Sequence, residues 1–152
     1  MTKKLLLPAM LLLAGALSAT AGKGDWHTDF DKAINKAKEE NKIVLVEFHG
    51  SDWCPPCMKL NDEVLSTEAF KDVAEKSLIL VNADFPRKEP LPDAQREHNE
   101  ALAQKLGVQY FPTVVLVDGE GEVLDKMVGF PKDGVDGFLS FIREKAPEAS
   151  EG

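Results

Sequence analysis

Apolar positions follow two rhythms along this chain, and the changes between them mark the elements. Over residues 25–41, Phe30, Ile34 and Ala37 share one helical face, with Lys and Glu on the others. Thr28 and Asp29 stand where a helix cap belongs. Residues 42–48 (KIVLVEF) are β-branched-rich and do not alternate, the pattern of a strand covered on both faces. Residues 49–52 read as a loop, and a helix opens at the WCPPC run and continues to about Leu65. Ser66 reads as the cap of a further helix reaching Lys76. Residues 78–83 form a second buried-type strand. Residues 84–93 carry Pro86, Pro90 and Pro92 and read as a loop. A helix over 94–106 stops at Gly107. Residues 111–117 and 122–128 are strands joined by the turn Asp118-Gly119-Glu120-Gly121. Residues 133–145 form a last helix with Val135, Phe138, Leu139 and Ile142 apolar, and 146–152 read as a frayed tail.

This order, αβααβαββα, predicts an α/β fold. The early alternation requires a parallel crossover and the late hairpin an antiparallel edge. The expected architecture is a mixed four-stranded central sheet with helices on both faces, in one domain over residues 22–152. Ahead of it, Lys3 and Lys4 precede an apolar run over 5–17 and the small residues Ala19-Thr20-Ala21. That is the layout of a secretory signal peptide, residues 1–21, cleaved after Ala21. The alternative is a membrane anchor, but the run is shorter than the roughly 20 residues a bilayer requires. Export to a bacterial periplasm is the expected destination, with full secretion left open and no stable membrane insertion after cleavage.

The 152 residues carry a formal net charge of −8. Such a chain is a poor ligand for nucleic acid or anionic membrane, and solubility is sufficient reason for its acidity. The two cysteines, Cys54 and Cys57, are separated by two residues. A loop that short makes a weak staple, so the pair is better explained by chemistry than by stability. The first N–H groups of a helix lack internal partners and its dipole is positive there, so a sulfur at that end is activated as a thiolate. Cys54 stands at that end, as the attacking residue. Cys57, one turn further on, is placed to resolve a mixed disulfide. Pro55 and Pro56 suit the first helical turn but donate no N–H. The Cys54 thiolate is therefore less stabilised than in motifs with a donor between the cysteines, which favours a reductant.

These residues resemble the thioredoxin superfamily, and the similarity extends over residues 25–145. Strand 43–48 leading into Trp53-Cys54-Pro55-Pro56-Cys57 is similar to the family's first core strand and active-site turn. Ala103 to Val108 followed by Phe111-Pro112-Thr113 resembles the run into its cis-proline, and Asp118-Gly119 with Val128-Gly129 its closing hairpin. The Gly50-Ser51-Asp52 lead-in is most like exported bacterial thioredoxin-like proteins. The resemblance implies that Pro112 is cis and faces the cysteines, and that the backbone at Phe111 pairs with substrate peptide. By pattern alone, Pro112 is a strand-start proline and Phe111 a core residue. Trp53 is expected to pack beside the disulfide and offer protein substrates an apolar contact.

Two positions depart from the family pattern. Its buried aspartate is matched by Glu47, followed by a loop one residue longer. Glu47 either takes the Cys57 proton during resolution or is a strand glutamate facing solvent or a lysine. The stretch 84–97 lengthens the spacing from Cys54 to Pro112, and is either a partner-selecting insertion or a solvated loop. His49 and His98 with the cysteines lack zinc-like spacing, so no metal is expected. Lys59 either lowers the thiol pKa or is a solvated helix lysine, and Met58 and Leu60 read as helix packing. No Gly-x-Gly-x-x-Gly follows a strand, so no cofactor is expected beyond a redox-active disulfide of Cys54 and Cys57. The partners expected of a monomer are protein thiols and disulfides, together with another protein that supplies or takes electrons. The leading function is thiol–disulfide exchange on exported proteins as a reductase. An oxidase or isomerase on the same fold, or a metal-handling or redox-inert binding module, are the alternatives.

Overall fold

A computed structural model describes residues 25–146; the expected signal peptide and most of the expected tail lie outside the described residues. The elements in chain order are β1 (Trp26–His27), α1 (Phe30–Glu40), β2 (Ile43–His49), α2 (Pro55–Leu60), a π-helical turn (Asn61–Leu65), α3 (Glu68–Ser77), β3 (Leu78–Asp84), α4 (Asp93–Lys105), β4 (Thr113–Val117), β5 (Val123–Val128) and α5 (Gly134–Arg143). The sheet order is β1-β3-β2-β4-β5. β1, β3 and β2 run parallel, while β4 and β5 pair antiparallel. The expected mixed α/β sheet is present, with a fifth strand at its edge.

That strand accounts for the shorter first helix. Trp26 and His27 pair with Leu80 and Val81, so the chain is extended until Asp29. The Asp29 carboxylate accepts the Lys32 N–H at 3.1 Å and caps α1. The cap of α3 is Thr67 rather than Ser66: its hydroxyl accepts the Phe70 N–H. Ser66 instead closes the π-helical turn through its N–H to Asn61 O. β4 begins two residues later than expected, after Phe111 and Pro112.

Alternation along β2 sorts two cores. Val44, Val46 and Phe48 point to the face covered by α1 and α4, against Phe30, Ala33, Ala37, Leu102 and Leu106. Leu45 points the other way, into Leu60, Val64, Phe70, Phe138 and Ile142 of α2, the π-helical turn, α3 and α5. Burying both faces explains why the strand has no polar alternation. It also decides the direction of Glu47 and His49, which share the parity of Leu45 and lie on the α2 face.

Candidate active site

β2 carries the chain to one end of the sheet, and residues 50–53 turn it into α2. Gly50 O accepts the N–H of Trp53 at 3.4 Å and of Cys54 at 3.1 Å. A Cβ on Gly50 would fall inside the Trp53 indole, so only glycine lets this turn close. Cys54 is the extended N-cap of α2, with Pro55 and Pro56 in its first turn. Cys54 and Cys57 form a disulfide and are 3% and 1% exposed. The N–H groups of Cys57 and Met58 both donate to Cys54 O at 3.1 Å.

Trp53 is held on several sides. Its Nε1–H donates to Phe85 O at 2.7 Å, and the Arg87 guanidinium lies 3.6 Å from its ring centre. Phe111 meets it edge-on at 6.1 Å and stacks on Phe85 at 4.9 Å. The segment before Pro112 is thus packed against the neighbour of Cys54, rather than buried in a strand. The Phe111–Pro112 peptide bond is cis, and Pro112 O accepts the Gly129 N–H at 2.8 Å.

The segment 85–92 is fastened to this turn. The Asp52 carboxylate accepts the N–H groups of Arg87, Lys88 and Glu89 at 2.9, 2.7 and 3.1 Å. The bond from the Arg87 amide, followed by the other two, holds the Asp52 pKa below its ordinary value. Asp84 accepts the Ser51 N–H at 2.9 Å and hydroxyl at 2.6 Å. The longer Cys54-to-Pro112 spacing therefore contributes Phe85 and Arg87 to the site, and its second half is the start of α4. Aspartate two residues before a cysteine pair, with a proline-rich loop further on, was the available signal for this clamp.

Glu47 is 3% exposed and does not face solvent. Its Oε1 has no hydrogen-bond partner. Burial pushes its pKa up; nearby His49 draws it down and Asp84 adds to the rise. His49 ends β2 rather than opening a loop. Its Nδ1 is 4.0 Å from Glu47 Oε1, and its Nε2 is 2.9 Å from Asn82 Oδ1 and 3.8 Å from Asp84 Oδ1. His49 and Cys57 line one cleft together with Ser51, Met58, Asn61 and Asp62. Pattern alone does not find this grouping, because it depends on the register that sets Asn82 beside Glu47 and Asp84 beside His49.

The remaining polar candidates have local explanations. His98 Nε2 accepts the Phe30 N–H at 3.4 Å, beside the Asp29 cap of α1. Lys59 Nζ sits 4.3 Å over the Phe130 ring. Among the described residues no cluster of three or more His, Cys, Asp or Glu has the arrangement of a metal site.

A disulfide at a helix start, beside a cis-proline segment on a mixed sheet, defines a protein-disulfide oxidoreductase. Residues 30–135 match the family model described as a thioredoxin-like domain, and the chain belongs to that family. It is 35% identical to the disulfide bond reductase DsbH of Chlamydia pneumoniae over 114 residues, covering 75% of this chain and 68% of the relative. The thioredoxin-related protein DsbJ of the same organism is 31% identical over 105 residues, which are 69% of this chain but 30% of DsbJ. The solved structure of a DsbH oxidoreductase superposes with a TM-score of 0.74 at 29% identity, covering 94% of this chain and 93% of that one.

Proposed function

We propose that this enzyme is a reductase of disulfides in exported proteins. The observation that carries this direction is the N–H inventory around Cys54. Pro55 and Pro56 have none, and the next, that of Cys57, is spent on Cys54 O. A Cys54 thiolate so placed has little main-chain stabilisation. The dithiol is then the electron-rich, donating form. The similarity to a protein named disulfide bond reductase supports the same direction.

In this reading the Cys54 thiolate attacks a substrate disulfide and Cys57 resolves the mixed disulfide. Trp53 provides an apolar contact, and Phe111 and Pro112 offer backbone to the substrate chain. Glu47 accepts the Cys57 proton during resolution. Oxidised enzyme is returned to the dithiol by another protein. The apolar run and Ala19-Thr20-Ala21 support export in this reading, with cleavage after Ala21 and a bacterial periplasm as the destination. Among the described residues no helix is long and apolar enough to cross a membrane.

The reduction potential of the Cys54–Cys57 couple tests this, read by Trp53 fluorescence in glutathione and dithiothreitol buffers. The expected value is below about −230 mV. A value above about −180 mV would make the enzyme an oxidase or isomerase. Absence of a reversible couple would leave a metal-handling or redox-inert module. Cys57→Ser is expected to trap substrate on Cys54, and Cys54→Ser to trap none.

A further inference from the structure

The acceptor role given to Glu47 raises a second question: where its proton goes next. Glu47 is too buried to release a proton directly, and its Oε1 is unpartnered. The basic atom facing that oxygen is Nδ1 of His49, at 4.0 Å. Asn82 Oδ1 accepts from His49 Nε2 at 2.9 Å, so Nε2 carries the hydrogen and Nδ1 keeps its lone pair towards the carboxyl. The ring is partly buried and lines the cleft that Cys57 also lines. The charged groups around it are Glu47 on its own strand, Asp84 on β3, and Asp62 of the π-helical turn along the same cleft. All three are carboxyl groups.

We propose that His49 is a positioning residue for resolution, the outlet that moves the Glu47 proton to the cleft. The proposal rests on the thiol–disulfide reading above and deepens it. During resolution the Cys57 S–H proton passes to the Glu47 carboxylate. The Cys57 sulfur attacks Cys54 Sγ, forming the Cys54–Cys57 bond and breaking the bond from Cys54 to substrate. The electron pair leaves on the substrate sulfur, which takes a proton from solvent. Protonated Glu47 then gives its proton to His49 Nδ1, through one water or a small rotation that closes the 4.0 Å gap. The ring keeps its Nε2–H on Asn82 Oδ1 and passes the proton taken up at Nδ1 to water in the cleft. When the disulfide is reduced again, a proton enters by the same route and the sequence reverses, restoring the Cys57 thiol.

The test uses the reduced full-length mature protein, oxidised glutathione as the substrate disulfide, and Trp53 fluorescence in stopped flow from pH 5.5 to 9. Acid-quenched mass spectra measure the glutathione adduct on Cys54. His49→Gln retains a donor for Asn82 but cannot relay a proton; His49→Ala leaves space for free imidazole. Both variants are expected to resolve about tenfold or more slowly at pH 7, with the adduct accumulating. Imidazole is expected to restore the alanine variant in proportion to its free base, and to leave the glutamine variant slow. Wild-type resolution in both variants across the pH range would overturn the proposal. So would a slow alanine variant, folded by circular dichroism, that imidazole does not restore. A wild-type protein forming no Cys54–Cys57 disulfide would overturn the oxidoreductase reading as well, so the two failures are told apart.

Discussion

A carboxyl that is 3% exposed, with one oxygen unpartnered, is held in the fold at a cost that depends on pH. Burial raises the Glu47 pKa above its ordinary 4.5. Below that value the group is protonated in both folded and unfolded chains, and its contribution is fully retained. As pH rises, the unfolded chain loses its proton first, so stability falls until the folded carboxyl also ionises. Glu47→Gln removes this dependence. In urea titrations the variant is expected to match wild type near pH 4 and to exceed it by about 1 kcal/mol or more at pH 8. The same variant is expected to resolve mixed disulfides more slowly. A gain in stability with a loss of turnover is the signature of a residue kept for chemistry. If the variant is instead less stable at pH 8, Glu47 is a structural group.

Among the elements, the clamp between the turn before α2 and segment 85–92 is the feature most open to a direct test. Asp52 has the opposite sign to Glu47: its pKa is held down by the Arg87, Lys88 and Glu89 amides, so its contribution is present at neutral pH and lost as pH falls through the lowered value. Asp52→Ala is expected to speed hydrogen exchange at those three amides while leaving β2 and β3 protected, and to loosen Arg87 from the Trp53 ring. Unchanged exchange would mean that Trp53 and Phe85 hold the segment unaided. This clamp also shows what was legible in the sequence. β2, β3 and β4 were readable because strands buried on both faces must be apolar throughout, and α5 because its apolar residues keep helical spacing. β1 was not, since two residues show no period and pair only through the β3 register. Cys54 and Cys57 were legible from spacing, whereas the direction of Glu47 followed only once β2 had its neighbours. The proline-rich stretch revealed its turn but not its partner, because Asp52 and Lys88 meet only in the folded chain.

For the whole molecule, the question is how the fold's stability is linked to its redox state. The disulfide closes too short a loop to constrain the unfolded chain strongly. The two cores on the faces of the sheet supply the cohesion instead. Any difference in stability between oxidised and reduced protein must then come from which form the folded environment prefers. By a thermodynamic cycle, that difference equals the shift in the couple's potential between unfolded and folded chain, with 30 mV corresponding to about 1.4 kcal/mol. Here the fold buries both sulfurs and spends the Cys57 N–H on a carbonyl. Such surroundings disfavour a thiolate and do not penalise a neutral disulfide. The oxidised protein is therefore expected to melt above the reduced protein at pH 7, with dithiothreitol lowering Tm. The opposite order would mean that the fold stabilises the dithiol, as it does in strong oxidants. In that case electrons would flow from substrate to enzyme, and the reductase reading would fall even if the fold, the disulfide and the Glu47–His49 pair stood as described.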